Sequence, residues 1–294
     1  SLPSSISCHH LMSAPIHRVC VCGAGTMGAG IAQTLATAGY ATMVYDLQPA
    51  GLERAAQQIQ KQLDIAVEKG KMTAEQAAKS IQRIQFTDDL QICLADLFIE
   101  AIVEQLDAKV ALFNQLAELN HSESIFATNT SSLSVTKLAE RIQNPDRVIG
   151  LHFLNPAHLM KLVEVITTPH TNTALFDTAW GFIQSIGKNP VHCQDTPGFI
   201  VNRVARPYYL EAMRVVESGK ATPEMVDRIM ESAGFKLGPF KLTDLIGQDI
   251  NLAVSRSVYE QLNKPERLQP SPLQEKLVED GKLGRKTGEG FYRY

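Results

Sequence analysis

The chain has few of the features that mark disulfide-stapled, membrane-spanning or nucleic-acid-binding proteins. Only 5 of its 294 residues are cysteine. Cys8, Cys20, Cys22, Cys93 and Cys193 are an odd set with neither a disulfide framework nor zinc-ligand spacing, so no structural metal site is expected. Cys20 and Cys22 sit two apart in an apolar stretch and read as buried reduced thiols, suited to a reducing compartment such as the cytoplasm. No apolar run approaches the ~20 residues that cross a bilayer. Basic charge is not in excess: 28 Lys and Arg against 31 Asp and Glu give a net charge of −3. That balance argues against a nucleic-acid or acidic-membrane partner. Internal repeats and low-complexity tracts are lacking as well.

The first fifteen residues are Ser/Pro-rich without periodicity. They have neither the long apolar core of a secretory signal nor the arginines of a mitochondrial transit peptide. Met12-Ser13 has the look of a natural start, so residues 1–12 read as a disordered leader of cloning-derived or upstream sequence.

What is present is an ordinary globular composition, 44% hydrophobic and 20% charged, in a chain long enough for two domains. From Ile16 onward, short apolar runs alternate with helical stretches. Strands are predicted at Ile16–Cys22, Ala41–Tyr45, Leu97–Val103, Ile125–Thr128, Val148–Phe153, Leu162–Ile166 and Pro190–Cys193. Helices are predicted at Met27–Ala38, Leu52–Lys69, Thr73–Arg83, Ala108–Leu119 and Thr173–Ile186, the second and third forming a hairpin at Gly70. Strands separated by helices imply a mostly parallel sheet covered on both faces. After Asp195-Thr196-Pro197-Gly198 the strand signal stops. Helices are predicted at Ile200–Ser218, Pro223–Ser232, Leu242–Leu262 and Pro272–Asp280, with Pro223 in a first turn capped by Thr222. The fold class is therefore an α/β Rossmann-like domain over 13–194, followed by an all-α domain over 195–294.

Two segments carry chemistry. Leu151–Ile166, LHFLNPAHLMKLVEVI, sets His152 and Glu164 among residues that otherwise read as sheet core. A carboxylate in Leu-Val-Glu-Val-Ile is costly to bury without a partner. An imidazole is the obvious one, and a buried His–Glu pair suits a proton acceptor. Taken singly, each residue also has a structural reading, a satisfied strand-end histidine and an edge-strand charge. The other segment, Gly23-Ala-Gly25-Thr26-Met27-Gly28, follows an apolar strand and opens a helix, the setting of a dinucleotide-binding loop. Gly23 permits the tight turn, Gly25 lets backbone approach a pyrophosphate, and Gly28 allows close helix–strand contact. The phosphates would sit at the positive end of the helix that starts near Thr26 and Met27. Asp46 ends the next strand, placed to take the adenosine ribose hydroxyls. Leu47-Gln48-Pro49 offers no cation for a 2′-phosphate, so NAD is favoured over NADP.

These motifs occur together with Asn129-Thr-Ser131-Ser132-Leu133, Asp195-Thr-Pro-Gly198-Phe-Ile-Val-Asn202-Arg203, Leu237-Gly-Pro-Phe240 and the closing Gly284-Arg-Lys-Thr-Gly288-Glu-Gly-Phe291-Tyr. From Ile16 to Tyr294 the chain resembles the L-3-hydroxyacyl-CoA dehydrogenases, most of all the bacterial short-chain 3-hydroxybutyryl-CoA type. The resemblance implies reversible NAD-dependent oxidation of an (S)-3-hydroxyacyl-CoA, as in fatty acid β-oxidation. In it His152 accepts the hydroxyl proton and Glu164 orients the imidazole and stabilises its charged form. Ser131 and Asn202 hydrogen-bond the reacting oxygen. Glu104, at a strand end, Lys109 and Asn129 match positions lining the nicotinamide ribose and substrate. Lys61, Lys69 and Lys71, on or near the hairpin, are candidates to meet the CoA phosphates. Ser131 also has a reading as a helix N-cap, Asn202 as a helix first-turn residue, and Lys109 and Lys69 as solvated charges. A homodimer through the helical domain is implied, with Leu245, Ile246, Leu252 and Ala253 as an apolar face. Alternatives on the same scaffold are a 3-hydroxyadipyl-CoA dehydrogenase of aromatic breakdown, a free hydroxy-acid or sugar-acid dehydrogenase, and a non-catalytic crystallin-like NAD-binding protein. The Ser131, His152, Glu164 and Asn202 quartet argues against the last. One departure stands out: relatives usually carry proline where this chain has His158.

Overall fold

The structure, a computed structural model, describes residues 16–294. The expected leader and Cys8 lie outside the described residues. The chain divides into two compact units between Asp195 and Thr196.

In the first unit, apolar segments of four to six residues form one sheet. Its strands are β1 (Arg18–Cys22), β2 (Ala41–Tyr45), β3 (Ile84–Thr87), β4 (Leu97–Glu100), β5 (Ile125–Thr128), β6 (Val148–Phe153), β7 (Leu162–Thr167) and β8 (Asn189–Gln194). Their order across the sheet is β3-β2-β1-β4-β5-β6-β7-β8. The first six run parallel, as crossover helices require. Those helices are α1 (Thr26–Thr37), α2 (Pro49–Glu68), α3 (Ala74–Gln82), α4 (Leu106–Leu119) and the short α5 (Val135–Ala139). The strand order reverses between β1 and β4, so the crevice that binds ligands in such sheets opens at their C-terminal ends, Cys22 and Glu100. β7 runs antiparallel to β6, and β8 returns parallel to β7 after α6 (Thr173–Ser185). Fully buried Val19, Val21, Ile99, Ala127, Leu151 and Val165 share one core with Ile31 and Leu35 of α1 and Ile183 of α6.

The hairpin turns as expected at Gly70, whose φ of +65° suits glycine, and Thr73 and Gln76 form a reciprocal capping box at the start of α3. Two strand readings need correction. β3 is absent from the sequence-based strands, because Ile-Gln-Phe-Thr is short and only part-buried at the sheet edge. β4 stops at Glu100 rather than Val103, because Glu100 turns its carboxylate back onto the amide of Ile102 (2.7 Å). Cys20, Cys22, Cys93 and Cys193 are free and buried.

The second unit contains α7 (Val201–Glu217), α8 (Pro223–Ser232), α9 (Pro239–Ile246), α10 (Gln248–Gln261) and α11 (Pro272–Glu279). Thr222 caps α8 through the amide of Met225. The single helix expected over Leu242–Leu262 is two, broken at Gly247, whose φ of +104° no helix can contain. Leu252 is only 3% exposed and so leaves the apolar face expected at a dimer contact, whereas Leu245 is 49% exposed.

Asp244 anchors the C-terminal segment. It is 1% exposed and accepts from the amides of Phe291 and Tyr292 (both 3.0 Å), the hydroxyl of Tyr294 and the side chain of Gln248. Asp227 accepts from the Tyr292 hydroxyl and the amides of Phe240 and Lys241. Removing a buried acceptor leaves its donors unsatisfied, so Asp244→Ala is expected to destabilise the protein by about 2–4 kcal/mol. Urea unfolding checks this, and an unchanged midpoint would refute it.

Candidate active site

The glycine loop joins β1 to α1. Gly23 has φ +111°, and a Cβ there would meet the carbonyl of Ala101 at 2.5 Å. A Cβ on Gly28 would lie 1.8 Å from the carbonyl of Gly23, so helix and turn touch only because both residues are glycine. Gly25 differs: a Cβ there would meet nothing within 4 Å. The space beside it is open, at a helix start with no side-chain cap and no acidic residue in its first turn. Thr26, Met27 and Gly28 thus present first-turn amides to that space, a cradle for a pyrophosphate. Asp46 follows β2 rather than ending it. One carboxylate oxygen takes the amide of Ala24 (2.7 Å) and the other that of Gln48 (2.9 Å), which ties the acid to the glycine loop. A carboxylate accepts about four hydrogen bonds, so capacity for ribose hydroxyls remains. The residues present fit NAD.

Across the crevice, the structure reveals a group that the sequence reading passed over. Glu100 is wholly buried. Its Oε1 accepts from Lys109 Nζ (2.6 Å) and the amide of Ile102, and its Oε2 from the hydroxyl of Thr128 (2.7 Å). Lys109, 1% exposed, reaches Glu104 Oε2 at 3.0 Å on its other side, so it is not a solvated helix charge. Glu104 lies on the loop before α4; the residue that ends the strand is Glu100. Glu104 Oε1 gathers the hydroxyls of Thr130 (2.5 Å) and Ser132 (3.0 Å) and the amides of Ser131 (3.0 Å) and Ser132 (3.2 Å). Burial alone raises both carboxyls, and Glu100 stays above its ordinary value. Lys109 and the Thr130–Ser131 donors hold Glu104 below its own. Asn129 Oδ1 accepts from the amide of Phe153 (2.8 Å), tying the end of β5 to β6. The N-cap of α5 is Ser134, not Ser131.

His152 and Glu164 are brought together by the antiparallel β6–β7 register, in which they are direct partners. Nδ1 of the ring lies 2.7 Å from Glu164 Oε2. The residues are 6% and 0% exposed. A carboxylate only accepts, so Nδ1 carries the proton and Nε2 holds the lone pair of the neutral ring. Leu151, Phe153, Val163 and Val165 point the opposite way, into the core. On the face shared with His152, Gly150 leaves room for Val135 of α5, and Asp195 pins that helix through Ser134 and the amide of Thr136.

The β6–β7 connection is held by Lys188, 6% exposed, which donates to the carbonyls of Ala157 (2.6 Å) and Met160 (2.7 Å). Burial and the neighbouring Lys161 push its ammonium down to about 8. His158 lies on this loop, half-buried, and burial and Lys188 lower it too. Lys69 is exposed at the C-cap of α2. In the second unit, Asn202 lies in the first turn of α7, and its carbonyl accepts from Arg206 Nε (3.3 Å).

A doubly wound sheet with an open glycine cradle and a buried His–Glu pair defines an NAD-dependent oxidoreductase. Comparison with known proteins specifies it further. Residues 18–196 match the model of the 3-hydroxyacyl-CoA dehydrogenase NAD binding domain, and residues 198–294 that of the C-terminal domain of the same family. The chain belongs to the 3-hydroxyacyl-CoA dehydrogenase family. It is 47% identical over 279 residues to 3-hydroxyadipyl-CoA dehydrogenase of Escherichia coli, covering 94% of this chain and 59% of that relative's length. It is 41% identical to mitochondrial hydroxyacyl-coenzyme A dehydrogenase of Sus scrofa, covering 95% of this chain and 91% of the relative. The crystal structure of (S)-3-hydroxybutyryl-CoA dehydrogenase from Ralstonia eutropha superposes with a TM-score of 0.90 at 36% identity, covering 95% of this chain and 99% of that one.

The two glycine environments separate binding from folding. Gly25→Val is expected to weaken NADH binding at least ~10-fold, with thermal stability within about 2 °C of wild type. Gly28→Ala is expected to lower both. NADH fluorescence titration alongside thermal unfolding tests this, and unimpaired NADH affinity in Gly25→Val would overturn the placement of the pyrophosphate.

Proposed function

We propose that this chain oxidises short-chain (S)-3-hydroxyacyl-CoA thioesters to 3-ketoacyl-CoA, reversibly, with 3-hydroxybutyryl-CoA as the type substrate. The observation that carries this reading is the buried His152–Glu164 pair, in register across β6 and β7 at 2.7 Å. The substrate hydroxyl gives its proton to His152 Nε2, since Nδ1 faces Glu164. Glu164 holds that tautomer and stabilises the imidazolium that forms. Ser131 and Asn202 take the roles that the family resemblance implies, hydrogen-bonding the reacting oxygen. Bound NAD⁺ supplies the hydride acceptor. Gly23–Gly28 and Asp46 bind the dinucleotide, Glu104, Lys109 and Asn129 shape the nicotinamide side, and Lys69 meets the CoA phosphates. In the reducing direction His152 returns the proton.

A second reading is favoured by a specific observation. The Escherichia coli relative at 47% identity is named for 3-hydroxyadipyl-CoA, so a dicarboxylic acyl chain belongs in any substrate panel. The working form is a homodimer in the cytoplasm. Exposed Val204, Ile229, Phe235, Leu245 and Ile250 on the helical domain supply apolar surface for a second copy. The buried free thiols suit a reducing compartment.

Turnover of 3-ketoacyl-CoAs of increasing length, with 3-ketoadipyl-CoA included, is followed by NADH absorbance. Short monocarboxylic chains are expected to give the highest kcat/KM, and a preference for the dicarboxylic one would select the second reading. His152→Ala is expected to lower kcat by about 10²–10⁴-fold while NADH still binds. Near-normal turnover in that variant would sink the assignment.

A further inference from the structure

Glu100 has no assigned part in the reaction, and its geometry is not that of an ordinary buried acid. It ends β4 at the point where strand order reverses, with no exposed surface. Every hydrogen bond to it comes from a donor: Lys109 Nζ, the amide of Ile102 and the hydroxyl of Thr128, which itself accepts from the amide of Thr130. Such a set calls for a carboxylate, because a protonated acid would face donors with a donor of its own.

One lysine thus stands between two carboxylates of unequal duty. Glu100 is locked in the core. Glu104 faces the Thr130–Ser132 turn, where a single oxygen collects two amides and two hydroxyls. With Lys109 shared, Glu104 keeps negative charge to spend on that turn. With Glu100 uncharged, Lys109 would have one anion left, and the attraction across its 3.0 Å contact would draw Glu104 inward and off the Ser131 and Ser132 amides.

We propose that Glu100 is a positioning residue for Ser131: it divides the charge of Lys109, which leaves Glu104 free to hold the Ser131–Ser132 turn in its working shape. Glu100 also fixes the Ala101–Ile102 peptide against which Gly23 packs, so the same carboxylate braces both sides of the crevice. The catalytic half of this inference rests on Ser131 acting on the substrate, as proposed above; the structural half does not.

The test uses Glu100→Gln, which keeps the shape and removes the charge, in the full-length protein. Without any substrate, hydrogen exchange at the Thr130–Ser132 amides is expected to speed up at least ~5-fold, while β5 and β6 keep their protection. On acetoacetyl-CoA with NADH, kcat is expected to fall ~10-fold. In a Ser131→Ala background the same substitution is expected to cost less than ~2-fold, because both changes act on one contact. A purely structural role for Glu100 would give additive losses. Thr128→Val, which removes one donor to Glu100, is a milder variant expected to shift exchange the same way should Glu100→Gln not fold. Unchanged exchange at the turn in whichever variant folds, or additive losses in the cycle, overturns the proposal. Absence of wild-type turnover on every acyl-CoA overturns the functional reading instead, and the exchange result still decides the structural half.

Discussion

The antiparallel pairing of β6 with β7 is the constraint on which the site depends. Six parallel strands build a dinucleotide-binding sheet and no more. Reversing the chain after β6 places the residue twelve positions after His152 directly opposite it, so an imidazole and a carboxylate meet at 2.7 Å inside apolar surroundings. A shift of one residue would send Glu164 to the opposite face, among Leu151 and Phe153. The register is secured at both ends. Gly150 takes Ile166 and Val135 against its bare Cα, and Lys188 fastens the connecting loop.

The end of β4 is organised differently. There the loop before α4 and the turn after β5 are joined through ions rather than by ladder hydrogen bonds. Lys109 is buried between Glu100 and Glu104, and each carboxylate takes further donors. Buried ion pairs contribute little net stability when compared with apolar packing, but they are exacting about geometry. That trade suits loops that must hold a fixed shape without a strand to hold them.

The legibility of these features in the sequence follows from the same physics. His152 and Glu164 could be read because polar residues inside an apolar run demand an explanation. Glu100 sits in Leu-Phe-Ile-Glu-Ala-Ile-Val, a run as apolar as the one around Glu164, with Lys109 nine residues on. Its signal is masked because Ala101-Ile102-Val103 continues the apolar run past it, so the strand pattern extends to Val103. The glycine loop was legible because each glycine answers a separate steric demand, although only coordinates show that Gly23 and Gly28 serve the fold while Gly25 faces open space. β3 was not legible, since a part-buried edge strand of four residues leaves little periodicity. Nor was the break at Gly247, because apolar spacing continues across it from Leu245 to Leu252 and only its φ of +104° marks the stop.

The role of Asp244 has a consequence for how the polypeptide is made. The acceptors at the heart of the helical domain wait for donors from Phe291, Tyr292 and Tyr294. That domain therefore reaches its full set of contacts only after those residues have left the ribosome. The sheet of the first unit is complete once Gln194 has emerged, with the helical unit still to come. Synthesis thus makes every strand of the nucleotide-binding half available before the donors that complete the helical half, the order in which domains generally fold.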